Sequence, residues 1–342
     1  MTTLVFAPNW LGDAVMALPA LADIRRHETT GRLLVAARPA VAGLMTLVPG
    51  VDGIVTLAGL GGFSSLRHHE RDVRAVAGTG ADVAVLLTNS VHTALLAWRA
   101  SIGQCWGYRR DFRGRLLTRA VARPRTALHQ VDDYRHLVAE LGFANGPREP
   151  RVDVAAGHID AARTLLAGAG WTPDRRLVGV APGAAYGGAK RWPPARFAAA
   201  IAGLTSAAPT TVVLAGSSVD LNVACAIEAE LSKISGPIRA DVINLAGRTD
   251  LGQLAGVMAL CRAFVSNDSG AMHLASAVGV PVVALFGPTD PAATAPVGRR
   301  PATILTAPAW CRPCMLRECP LDHRCMTGIG AAEVIRAVED QT

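Results

Sequence analysis

The chain has 342 residues, more than one ordinary hydrophobic core organises, so two domains of roughly 150 residues each are expected. Half of the residues are hydrophobic but only 5% are aromatic, and Gly and Ala abound; this balance suits helices packed closely on a parallel sheet and argues against a β-sandwich. A formal net charge of +7 and a pI of about 9.4 favour anionic partners such as phosphorylated sugars or an anionic membrane surface, while no zinc-finger spacing, aromatic RNA-binding signature or long basic run supports nucleic acid.

Residues 4–7 form a short apolar run, and from Asp13 apolar side chains recur at helical spacing through Val15, Leu18, Leu21 and Ile24. The chain therefore begins strand, loop, helix. Pro8, Asn9 and Asp13 interrupt the apolar run and no basic segment precedes it, so a signal peptide is not expected. Strand patterns follow at 32–37, 52–57 and 81–88, with a helix over 90–99, the rhythm of a parallel sheet with crossover helices. The segment 109–125 then carries Arg109, Arg110, Arg113, Arg115, Arg119, Arg123 and Arg125 among few carboxylates; taken singly, each is explained as part of a solvated helix or loop face. A helix is predicted over about 132–141, and Gly/Pro-rich polar stretches place the domain linker at about 145–176, between a first domain of residues 1–160 and a second of 161–342.

The second half restarts the same pattern, with strands at 177–181, 211–215, 242–245, 263–266 and 282–286 separated by helical stretches. The fold class is α/β, two doubly wound halves. No uninterrupted apolar stretch reaches the roughly 18 residues of a membrane span, since the candidate at 274–286 is short and holds Pro281. A soluble cytoplasmic protein is expected, with a peripheral place at a membrane open.

Three strand-to-helix turns draw attention. PGAAYGGAKRWP, at 182–193, leaves its strand through Gly183, Gly187 and Gly188 and reaches Lys190; small residues let backbone N–H groups approach a phosphate, and Lys190 adds a mobile charge. It lacks the P-loop and dinucleotide glycine spacings, and by itself reads equally well as a surface loop. In SNDSGAMHLA, at 266–275, Asp268 or Ser269 can cap a helix starting near Gly270, whose free N–H groups face beyond the strand's carboxyl end, where open α/β sheets bind ligands. Capping alone accounts for both residues, and a lone His273 is ordinarily a satisfied, half-buried histidine. Asp13 holds the corresponding place in the first half, either as a plain helix cap or as a general base within reach of a hydroxyl.

Late in the chain CRPCMLRECPLDHRC sets Cys311, Cys314, Cys319 and Cys325 in C-x2-C-x4-C-x5-C spacing, with His323 between the last two. Structural zinc, reduced buried thiols and a facultative disulfide all fit that spacing. A catalytic cysteine fits less well, because only His323 stands near as a base.

Taken in order, PNWLGDAVMALPAL, RRDFRGRLLT, APGAAYGGAKRWP, NDSGAMHLASAVGVPVVALFGPTDP and the cysteine motif resemble the ADP-heptose:lipopolysaccharide heptosyltransferases of glycosyltransferase family 9, the heptosyltransferase II branch in particular, over nearly the whole chain. The resemblance implies a GT-B architecture: two Rossmann-like domains facing across a cleft, the N-terminal one for the acceptor and the C-terminal one for ADP-heptose or a related nucleotide-sugar. It implies inverting transfer that requires no metal or other cofactor, with Asp13 as the catalytic base. Donor binding falls to Gly183, Lys190, Asp268 and the amides near Ser269, Gly270 and Ala271, with His273 close by. Ala271 stands where a bulkier Leu is common, so only its backbone contact carries over. Arg109, Arg110, Arg113 and Arg115 become candidates for an anionic glycan or glycolipid acceptor, a lipopolysaccharide inner core at the inner face of the plasma membrane. A transferase using another acceptor or nucleotide-sugar, or a nucleotide-binding protein without transfer, is the alternative; the second has no need of Asp13.

Overall fold

Short apolar runs that are buried on both faces become central parallel strands, and the longer amphipathic stretches between them become the helices that cover the sheet. The computed structural model describes residues 1–58, 65–234 and 241–341, and the chain divides into two units, Met1–Asp153 and Val154–Thr342. The first runs β1 (Thr2–Phe6), α1 (Leu11–Met16), α2 (Leu18–His27), β2 (Arg32–Ala37), α3 (Pro39–Met45), β3 (Gly53–Thr56), α4 (Ser65–Ala77), β4 (Val83–Leu86), α5 (Val91–Arg99), β5 (Gln104–Tyr108), β6 (Arg119–Val121) and α6 (Gln130–Glu140). The second begins with α7 (Ala156–Gly168), β7 (Arg176–Ala181), α8 (Pro194–Ala207), β8 (Thr210–Leu214), α9 (Leu221–Leu231) and β9 (Val242–Asn244). It continues through α10 (Leu251–Leu260), β10 (Ala263–Asn267), α11 (Gly270–Val278), β11 (Val282–Phe286), α12 (Pro291–Thr294), β12 (Thr303–Thr306), α13 (Arg324–Thr327) and α14 (Ala331–Glu339).

Each unit holds one six-stranded parallel sheet, ordered β3-β2-β1-β4-β5-β6 in the first and β12-β11-β10-β7-β8-β9 in the second. Counted within its own unit, the second order is the first one reversed. Both sheets therefore change direction at one place, between β1 and β4 and between β7 and β10. Phe6 pairs with Leu86 across the first of these junctions and Ala181 with Ser266 across the second. Leu4, Phe6 and Leu86 are buried in the first core, and Val178, Trp192, Phe197 and Val265 in the second.

The strands β5, β6 and β12 have no counterpart among the elements expected from the sequence. β6 lies inside the arginine-rich segment, so its three residues carry no apolar alternation; Arg119 instead donates to the carbonyls of Glu140 and Leu141 from this edge position. Edge strands accept such charge because one side is unpaired. In β5, Gly107 breaks the pattern for a steric reason: a Cβ there would stand 3.2 Å from both Arg113 Nη2 and Leu86 Cβ. Among the described residues, no helix is long and apolar enough to cross a membrane.

Candidate active site

The topological switch point of an open α/β sheet leaves a crevice outside the strand ends, because the connections on either side depart in opposite directions. In the first unit the loops leaving β1 and β4 meet there and enclose an open pocket of about 480 Å³. Its wall includes Asn9, Trp10, Asp13, Thr88, Asn89, Ser90, Asp111 and Tyr134. Asp13 is half-buried in the first turn of α1, but it is not the helix cap: that position belongs to Trp10, whose side chain makes no capping bond. Opposite, Tyr134 is 6% exposed, and burial, followed by the Asp13 and Asp133 carboxylates, pushes its phenol well above the usual range. It is therefore a neutral O–H at neutral pH, beside a carboxylate that can take a proton from a hydroxyl bound in the pocket.

Sequence reasoning missed Asn89, Ser90 and Tyr134. The signal was partial: Asn89 and Ser90 lie between a strand and a helix, and Ser90 caps α5 by accepting from His92 N at 3.1 Å. Asn89 Oδ1 is buried without a hydrogen-bond partner among the described residues.

The four arginines expected to meet an acceptor separate into two kinds. Arg109, Arg110 and Arg115 are exposed. Arg113 is wholly buried, which rules out the direct acceptor contact expected of it. Its Nη1 donates to Thr88 O at 2.7 Å and Ser90 O at 3.4 Å, and its Nε to Tyr108 O at 3.1 Å. A guanidinium suits this place because its planar fork reaches carbonyls from two strand ends at once. Burial holds the Arg113 pKa below its ordinary value, but an arginine remains charged at any physiological pH. Arg113→Met strands those carbonyls while relieving the desolvated charge, so a net loss of about 2 kcal/mol is expected. Thermal unfolding should show it as a fall in Tm of about 4–8 °C, with Arg113→Lys recovering part of the difference.

In the second unit the loop leaving β7 brings Lys190 to the loop leaving β10. Lys190 Nζ lies 2.5 Å from Asp268 Oδ2 and 4.7 Å from the centroid of the Tyr186 ring. Asp268 is 5% exposed and also accepts from Thr289 Oγ1 at 2.7 Å. Asn267 ties the same two loops together, accepting from Trp192 N at 3.1 Å and donating to Pro182 O at 2.7 Å. Ser269 occupies the N-cap position of α11, yet neither it nor Asp268 supplies the expected side-chain cap; Ser269 Oγ lies instead 3.0 Å from Ser266 Oγ. Gly270 and Ala271 are half-buried in the first turn, whose amides have no capping side chain. His273 is 4% exposed and sits among the buried residues of α11. Gly183 is buried, and a Cβ there would overlap the Asp220 carboxylate, a structural reason for this glycine that the sequence did not reveal. Asp220 in turn accepts from Ser217 N at 2.9 Å.

The cysteine segment straps the Lys190 loop. Tyr186 O–H donates to Met315 O at 2.7 Å, Gly188 N to Glu318 Oε1 at 2.9 Å and Ala189 N to Arg317 O at 2.9 Å, while His323 Nε2 lies 2.6 Å from Ala189 O. Among the described residues, no group of three or more His, Cys, Asp or Glu is arranged to hold a metal ion. Cys311, Cys314 and Cys319 are half-buried free thiols and Cys325 is buried. Burial, then the neighbouring thiols of Cys311, Cys319 and Cys314, raises the Cys325 pKa. Burial also lifts Cys105 to about 11 and Cys261 to about 12, so neither forms thiolate near pH 8. Alkylation of the native protein at pH 8, followed by peptide mapping, should mark exposed Cys225 and the half-buried Cys311, Cys314 and Cys319, leaving Cys105 and Cys261 unmodified.

A family model described as glycosyltransferase family 9 (heptosyltransferase) matches residues 69–324, which takes in the β4–α5 wall of the pocket, Lys190, Asp268 and most of the cysteine segment. The chain belongs to glycosyltransferase family 9. As a member of glycosyltransferase family 9 it is a glycosyltransferase. It is 30% identical over 317 residues to lipooligosaccharide heptosyltransferase 2 of Haemophilus ducreyi, covering 89% of this chain and 88% of that protein. Lipopolysaccharide heptosyltransferase 2 of Salmonella typhimurium is 29% identical over 312 residues, with the same coverage of 89% and 88%. The solved structure of E. coli ADP-heptose lps heptosyltransferase II aligns with a TM-score of 0.84 at 26% identity, covering 100% of this chain and 98% of that one. The two-sheet arrangement is thus the GT-B fold of family 9 enzymes.

Proposed function

We propose that the chain is an inverting heptosyltransferase that moves heptose from ADP-heptose to a phosphorylated lipopolysaccharide inner core at the cytoplasmic face of the membrane. The observation that carries this reading is Asp13, a carboxylate in the wall of an open pocket at the switch point of the first sheet, in a family 9 chain. The first unit takes the acceptor. Asp13 removes the proton of the acceptor hydroxyl as its oxygen forms a bond to the anomeric carbon, the bond from that carbon to the diphosphate oxygen breaks, and ADP leaves. Attack opposite to the departing group inverts the anomeric configuration. The second unit takes the donor: Lys190 and the amides of Ser269, Gly270 and Ala271 stabilise charge growing on the diphosphate. Lys190 and Thr289 both contact Asp268 through Oδ2, which leaves Oδ1 for sugar hydroxyls. Arg109, Arg110 and Arg115 meet acceptor phosphates, and Arg113 holds the pocket wall.

The test incubates purified protein with ADP-heptose and a phosphorylated inner-core acceptor and determines the anomeric configuration of the product by NMR. Inversion is expected, with a rate unchanged by a chelator. Retention of configuration overturns the mechanism. Transfer only from another nucleotide-sugar, or only to another acceptor, replaces the substrate assignment with the alternative family 9 reading.

A further inference from the structure

The turn after β5 reverses the ordinary sorting of side chains. Arg113 is wholly buried, while its neighbour Phe112 has a relative exposure of 105%, the greatest among the large hydrophobic side chains described. Asp111 and Phe112 both adopt left-handed backbone, with φ of 51° and 58°. Asp tolerates that region because its short polar side chain bonds locally, whereas a bulky aromatic residue does not favour it. A turn serving connection alone would place Gly or Asn there. The display of Phe112 is also anchored: the Arg113 guanidinium is bound beneath the turn to Thr88 O and Tyr108 O, which fixes the residue before it outward.

The surroundings say what Phe112 meets. Arg109, Arg110 and Arg115 are exposed around it, and Arg110 is only loosely held by Asp111 at 3.6 Å. An aromatic ring among guanidinium groups matches the headgroup region of an anionic bilayer, where the ring enters the acyl boundary and the cations meet phosphate. A second copy of the chain would bring like charges face to face. Asp111 lines the pocket that contains Asp13, and so does Trp10, itself 56% exposed.

We infer that Phe112 is the apolar anchor of a docking surface for an anionic lipid bilayer, with the surrounding arginines meeting lipid phosphates at the membrane as well as those of an acceptor held in it, which brings the pocket of the first unit to the membrane surface. The inference rests on the proposed function for its purpose, since an acceptor held in a bilayer by acyl chains is then presented to the pocket without leaving the membrane.

The experiment measures sedimentation of the full-length protein with vesicles of equimolar phosphatidylglycerol and phosphatidylethanolamine, and with vesicles of phosphatidylcholine alone. Wild type should bind the anionic vesicles and not the neutral ones. Phe112→Ser should weaken that binding on the order of tenfold, as expected for loss of one buried aromatic side chain, and Phe112→Trp should retain it. Phe112→Ser should transfer to a water-soluble, deacylated acceptor at the wild-type rate. Equal vesicle binding by wild type and Phe112→Ser, or no binding by wild type, overturns the inference. Loss of turnover on the deacylated acceptor also overturns it, placing Phe112 in the acceptor site, as does a wild-type dimer that Phe112→Ser dissolves. If vesicle binding behaves as expected but no heptose is transferred, the proposed function fails and the membrane surface stands.

Discussion

Asp13→Asn is expected to lower kcat for heptose transfer by about 10²–10⁴-fold, the usual contribution of a positioned general base. The substitution keeps the size and hydrogen-bonding reach of the side chain and removes its capacity to hold a proton. Its effect on folding should be small. Asp13 lies in the first turn of α1, where a carboxylate stabilises the helix by about 0.3–1 kcal/mol through the helix dipole. Release of ADP in the presence of acceptor is the measurement, paired with calorimetric binding of ADP to each protein. Binding should be unchanged, because the proposed donor residues all belong to the second unit. A variant that releases ADP at the wild-type rate, still dependent on acceptor, removes Asp13 from the mechanism.

Lys190→Met is expected to act on two levels. Loss of a preorganised cation facing the departing diphosphate should reduce kcat by about 10²–10³-fold. The same change leaves Asp268, 5% exposed, with the Thr289 hydroxyl as its side-chain partner. Breaking a buried pair on one side typically costs about 3–5 kcal/mol, because the surviving charge has lost both water and its counterion. Tm should therefore fall by about 6–20 °C. The double variant Lys190→Met/Asp268→Asn separates the levels, since it removes both charges and keeps an acceptor for Thr289. Its stability should return toward wild type while its activity stays low. Activity that recovers together with stability would make Lys190 a structural partner of Asp268 and nothing more.

Much of the frame was legible in the amino-acid order. β1, β2, β4, β7, β8, β10 and β11 are central or near-central strands covered on both faces, so each contains a short run of buried apolar residues. β3, β6, β9 and β12 are edge strands, whose residues answer to solvent as well as to the core; of these β6 and β12 were not legible, and β5 is interrupted where Gly107 makes room for a guanidinium. In the site, Asp13, Lys190 and Asp268 were visible because each lies at or just beyond a strand-to-helix turn, a place defined locally. The role of Arg113 was not visible. In a run of seven arginines nothing local distinguishes the one that is buried, since its burial depends on carbonyls at Thr88, Ser90 and Tyr108. Nor was the missing cap of α11, because Ser269 spends its hydroxyl on Ser266.

By itself, then, the sequence determined the alternation of strand and helix, the two halves, and the turns able to carry chemistry, all of which follow from residue spacing along one element. The tertiary structure decided which turns meet. Lys190 and Asp268 are 78 residues apart in the chain and 2.5 Å apart in space because β7 pairs with β10, as β1 pairs with β4 around the Asp13 pocket. Strand order is set by which nonlocal pairing buries the most apolar surface without crossing connections, and residue spacing carries no record of it.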